Sequence, residues 1–99
     1  MAKKPYDSLG IPPAARSEGG VELMRAAVVE QKLAMALRRG FDDPAAWGAL
    51  LATAARQVAQ IYATDTGVSV EAARARIREA FDADMNTADD DAGTITAVR

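Results

Sequence analysis

The stretch Val21-Glu22-Leu23-Met24-Arg25-Ala26-Ala27-Val28-Val29-Glu30-Gln31-Lys32-Leu33-Ala34-Met35-Ala36-Leu37-Arg38-Arg39 decides whether this chain is all helix or a mixture of strand and helix. Its residue types, rich in Leu, Met, Ala, Glu and Lys, favour helix. Its periodicity does not. At about 100° per residue, Leu23, Met24, Val28, Val29, Leu33, Met35 and Leu37 spread round the whole wheel, and Glu22, Arg25, Glu30, Lys32, Arg38 and Arg39 spread with them. Such a helix has no face to bury. With a period of two, Leu33, Met35 and Leu37 fall on one side of a strand and Ala34, Ala36 and Arg38 on the other. Upstream, Met24, Ala26 and Val28 alternate with Arg25, Ala27 and Val29. The polar group Glu30-Gln31-Lys32 becomes the tip of a β-hairpin spanning about 21–39, without the Asn-Gly or Asp-Gly that specifies a two-residue turn.

Downstream, Phe41-Asp42-Asp43-Pro44 supplies a capping aspartate followed by proline at the first helical position, where a missing N–H costs nothing. A helix is predicted over 43–64. Trp47, Leu50, Leu51, Ala54, Val58, Ile61 and Tyr62 fall on one face, and Thr53, Arg56, Gln57 and Gln60 on the opposite one. Gly67 suits a terminal turn at positive φ. Ser69 then caps a second helix over 69–85, with Glu71 in its first turn and a narrower stripe of Ala73, Ile77, Ala80, Phe81 and Met85. So short a connection makes the two helices antiparallel neighbours. The expected fold is α+β: a hairpin followed by two antiparallel helices, in one domain over 21–85.

Outside that domain, residues 1–20 hold Pro5, Pro12, Pro13 and the pair Gly19-Gly20, and read as an extended arm docked by Tyr6, Leu9 and Ile11. Residues 86–99, with Asp89-Asp90-Asp91, read as a flexible acidic tail. In 99 residues, 49% are apolar, but alanine supplies much of that and aromatics only 5%. Alanine favours helix yet buries little area, so the core is marginal and a second copy of the chain is the natural supplement.

Charge and composition exclude several functions. A net charge of −2 argues against general affinity for nucleic acid or anionic membranes. With no cysteine and no histidine, disulfides, cysteine nucleophiles, zinc sites built on those ligands and histidine general bases are excluded. The N-terminal lysines precede no apolar run, and no segment reaches the roughly 18 apolar residues of a membrane span, so a cytoplasmic address is expected.

The segment Phe41-Asp42-Asp43-Pro44-Ala45-Ala46-Trp47-Gly48 with Leu50-Leu51 is distinctive, as is Ala75-Arg76-Ile77-Arg78-Glu79-Ala80-Phe81-Asp82. Together with Ile11-Pro12-Pro13 they resemble a bacterial family of small uncharacterised proteins, a domain of unknown function with an Asp-Asp-Pro-x-x-Trp-Gly motif. The resemblance runs from about residue 11 to 83. It implies a compact α+β protein with a hairpin before two helices, and no activity. It also implies a glycine-type turn where this chain has Glu30-Gln31-Lys32.

Few residues invite a chemical role. Asp82-x-Asp84-x-Asn86 opens like a calcium loop, but its sixth and twelfth positions hold Thr87 and Gly93 in place of glycine and glutamate, so a helix end entering an acidic tail is preferred. Arg74 and Arg78 lie one turn apart and, with Arg39, form the candidate anion-binding set; the plainer reading is a solvated face with Arg78 paired to Asp82. A strand before two helices invites comparison with ribbon-helix-helix DNA binders, yet the outward Ala34, Ala36 and Arg38 offer little base readout. Trp47 is in phase with the apolar stripe and reads as core rather than as a ligand platform.

The leading expectation is therefore a non-enzymatic interaction or assembly module acting as a homodimer, with an unidentified protein partner as a further possibility. No cofactor, metal or membrane is implied. The alternative is a small anion-binding or enzymatic protein using the arginines. The helix cap gives the first test: Asp43→Ala should cost about 1 kcal/mol of stability, seen as a lower melting temperature, and an unchanged melt would reject the cap.

Overall fold

A computed structural model of the chain describes residues 5–87 and 94–95. Chain order is α1 (Pro13–Glu18), β1 (Met24–Val29), β2 (Lys32–Leu37), α2 (Pro44–Thr66), α3 (Val70–Met85) and β3 (Thr94–Ile95). The architecture is α+β, a two-stranded antiparallel hairpin followed by two helices.

Period two governs the stretch 21–39, as its apolar spacing requires. β1 and β2 pair with Met24 opposite Leu37, Ala26 opposite Met35 and Val28 opposite Leu33. Cross-strand partners share a face, so this register gathers all six apolar side chains on one side of the hairpin. The turn is tighter than the three-residue tip the sequence predicts. Lys32 is the first residue of β2, paired with Val29, and only Glu30 and Gln31 form the loop. Both have positive φ, 51° and 68°. That is the pattern of the two-residue turn that matches strand twist and that Asn-Gly adopts at little cost.

Both long helices start at the caps read from the sequence. Asp43 Oδ1 accepts from the Ala45 amide at 2.9 Å with Pro44 in the first turn, and Ser69 Oγ accepts from the Ala72 amide at 3.0 Å. α2 stops where Gly67 turns to φ 81° and its N–H donates to the Ala63 carbonyl at 3.1 Å. It runs two residues past the expected end at 64.

Two expectations at the termini change. The arm over 1–20 is not extended throughout: Pro13 at the first helical position and the helix formers Ala14 to Glu18 make α1, which ends at Gly19. Leu9 and Ile11 remain exposed instead of docking, and the Tyr6 hydroxyl accepts from Arg25 at 3.5 Å. In the stretch read as a flexible tail, Thr94 and Ile95 pair in parallel with Ala34 and Met35 of β2. Asp89, Asp90 and Asp91 lie outside the described residues.

α3 covers only one edge of the apolar stripe of α2. α3 packs on a flank of α2 rotated by roughly 100° from Trp47, where Leu51, Ala55, Ala59 and Ala63 recur every fourth residue. Val70, Ala73 and Ile77 of α3 are the buried or half-buried residues on the facing side. Ala59 is fully buried, and Ala73 is the only other buried residue among those described. Trp47, Leu50 and Leu51 are half-buried, whereas Val58, Ile61 and Tyr62 are exposed. The expected core face is thus only half covered, because small alanine side chains let helices approach closely and draw α3 onto their side.

The hairpin and the helix pair make no close backbone approach to each other among the described residues. They are joined by the segment 38–43. The Trp47 indole N–H donates to the Arg39 carbonyl at 2.6 Å, and the Trp47 and Phe41 rings meet edge to face at 6.2 Å. Gly40 sits at φ 69° under the Leu23 side chain, where a Cβ would fall 2.3 Å from Leu23 Cδ2. Trp47 is a joint between the two halves as well as part of a core face.

The turn provides the test of this part. The left-handed region costs ordinary residues about 1–2 kcal/mol, so Glu30→Asn combined with Gln31→Gly should raise the urea midpoint without changing its slope. A lowered midpoint would show that the two native side chains hold the turn.

Candidate functional site

Two surfaces are candidates for function, and each is built by the packing just described. The first is apolar. On the hairpin, Val28 is 76% exposed and Leu33 is exposed beside half-buried Met24, Met35 and Leu37. On α2, Ile61 is 57% and Tyr62 52% exposed, with Val58 between them. Phe81 and Met85 of α3 are exposed as well.

The second surface is a groove of about 240 Å³ between the first half of α2 and the second half of α3. Leu51, Ala52, Ala55, Ile77 and Phe81 form its apolar lining, and Arg56, Arg74, Arg78 and Asp82 its polar one. Arg74 and Arg78, read from the sequence as a pair, do meet here. Arg39 does not: it precedes α2 and contributes its carbonyl to Trp47. Arg56 is the residue the sequence reading assigned to a solvated face. Its spacing from Ala52 and Ala55 was the available signal, because an alanine flank draws a helix neighbour. The Arg78–Asp82 ion pair expected from the sequence is not formed; Arg76 pairs with Glu79 one turn along.

Arg25 is held differently. Its guanidinium donates to the Tyr6 hydroxyl and to both Glu22 carboxylate oxygens, at 2.7 Å for the closer. The bond to Tyr6, followed by the bond and charge of Glu22, pushes its pKa above the ordinary arginine value. Arg25 ties the arm to the start of β1. Among the described residues no group of three acidic side chains is placed to hold a metal ion, and no helix is long and apolar enough to cross a membrane.

Residues 8–88 match the family described as "Domain of unknown function (DUF5076)". The chain belongs to this family. It is also similar to a structure from the photosynthetic bacterium Rhodopseudomonas palustris, provisionally named a pyruvate dehydrogenase, with 33% identity and a TM-score of 0.74. That match covers 91% of this chain and 93% of the other. No curated protein matches the chain. The DUF5076 match includes α1, the hairpin and both long helices, so both candidate surfaces lie within it.

The groove generates a direct test. If Arg56, Arg74 and Arg78 act together on an anion, inorganic phosphate or octanoate at millimolar concentration should raise the melting temperature by mass action, and Arg74→Ala with Arg78→Ala should abolish the rise. No shift with either anion would mark the three as solvated side chains.

Proposed function

We propose that this chain is a non-enzymatic assembly module that works as a homodimer. One observation carries the reading: the apolar faces of the hairpin and of α2 both lie open in the single chain, with Val28, Ile61 and Tyr62 each more than half exposed. A standard interface removes about 800 Å² from each partner. In an obligate dimer each copy covers what the other leaves bare. Side chains such as Val28, Ile61 and Tyr62, grouped on faces instead of scattered, are of the kind that mark association surfaces.

A second reading has one specific observation in its favour. Three arginines converge on an apolar groove, a setting suited to an amphipathic anion. It is compatible with a dimer and concerns a different face. The dehydrogenase name belongs to the Rhodopseudomonas protein, and neither reading rests on it.

Light scattering on a size-exclusion column checks the main proposal. The native chain should run at twice its 10.4 kDa mass at micromolar concentration. Ile61→Glu with Tyr62→Lys should lower that mass toward the monomer. A native chain at 10.4 kDa throughout that range would overturn it.

A further inference from the structure

The strand edge offers more than an apolar face, because its backbone donors can be assigned one by one. A two-residue turn makes Val29 and Lys32 a hydrogen-bonded pair, and pairs alternate from there along the ladder. Ala27 with Ala34 and Arg25 with Ala36 are then hydrogen-bonded pairs as well. The alternation is confirmed beyond the strand, where the Arg38 amide donates to the Leu23 carbonyl at 3.0 Å. It follows that the amides and carbonyls of Met24, Ala26 and Val28 point away from β2. The sheet order is β1-β2-β3, so β2 has neighbours on both sides while β1 has one. Among the described residues no hydrogen-bond partner meets those three outward amides. β1 carries no proline, and Arg25 is its one charged residue, so the edge lacks the usual devices that block strand addition.

We infer that the free edge of β1 pairs antiparallel with β1 of a second copy, with the two-fold axis at Ala26. This rests on the homodimer reading and names its interface. Antiparallel pairing must set outward residue against outward residue, and only a register centred on Ala26 engages all three in both copies: Met24 with Val28, Ala26 with Ala26, and Val28 with Met24. Arg25 then lies opposite Ala27, so no like charges face each other within the paired stretch. The two apolar hairpin faces merge into one, with Met24, Ala26, Val28, Leu33, Met35 and Leu37 from each copy on the same side of the sheet. A second copy is the occupant this edge fits best, because the spacing of donors and acceptors is self-complementary.

The chain has no cysteine, so Ala26→Cys places the sole thiol on the proposed axis. A hydrogen-bonded antiparallel pair holds its Cα atoms about 5.5 Å apart, within disulfide range. Mild oxidation at micromolar concentration should convert most of Ala26→Cys to a covalent dimer on a non-reducing gel, while Thr53→Cys on α2 should stay uncrosslinked. Ala26→Pro removes one outward amide and leaves the β1–β2 ladder intact; it should weaken dimerisation at least tenfold with the helical circular dichroism retained. If the native chain is dimeric but Ala26→Cys does not crosslink, or Ala26→Pro is folded and dimerises as tightly as the native chain, the edge pairing is wrong and the homodimer reading stands. A monomeric native chain overturns both. Should Ala26→Pro fail to fold, the crosslinking result decides alone.

Discussion

Ala59 has no exposed surface and Ala73 almost none, yet each removes little apolar area from water. This alanine seam is the constraint on which the rest of the structure depends. Small side chains let α2 and α3 come close, and that close approach fixes α3 on the flank holding Leu51, Ala55, Ala59 and Ala63. The larger residues Val58, Ile61 and Tyr62 stay exposed. A marginal core and an exposed apolar stripe are therefore two results of one packing choice.

The joint at 38–43 carries the consequence to the hairpin. Trp47 reaches back to the Arg39 carbonyl, Phe41 meets its ring edge, and Gly40 yields space to Leu23. A buried or half-buried indole N–H needs an acceptor, and here the acceptor lies in the loop that leaves β2. The result is a defined connection between hairpin and helices. Each half keeps an apolar face that its own chain does not cover. Homodimerisation through those faces would complete the fold and supply the function in one step, with the DUF5076 family fold as the scaffold.

Much of this was legible in the sequence, for physical reasons that can be named. Asp43-Pro44, Ser69 and Gly67 are local signals acting over three or four residues, and they placed the helix ends well. The conflict between helical composition and two-residue periodicity over 21–39 resolved in favour of periodicity, because burial of a face outweighs intrinsic propensity. The hairpin turn was read one residue too long, since Glu30 and Gln31 carry none of the chemistry that marks positive φ. α1 was hidden by the prolines at 12 and 13, which also start helices. The stripe of Trp47 to Tyr62 was found correctly as apolar, but its partner was not: the wheel shows which face is greasy, and only packing shows which flank is small enough for a helix to approach. Arg56 was missed for the same reason, since its place beside Arg74 and Arg78 follows from where α3 docks.

A fold completed by a second copy has a thermodynamic signature that packing within one chain cannot produce. Its melting temperature must rise with protein concentration, because unfolding releases two chains. From about 1 to about 100 μM the rise should be roughly 6 °C for two chains of this length. Thermal unfolding followed by circular dichroism across that range measures it directly. A melting temperature that climbs by this amount is the outcome expected of an obligate dimer. One that stays constant, with a reversible transition, would mean that the single chain is stable on its own and that its apolar faces serve something else.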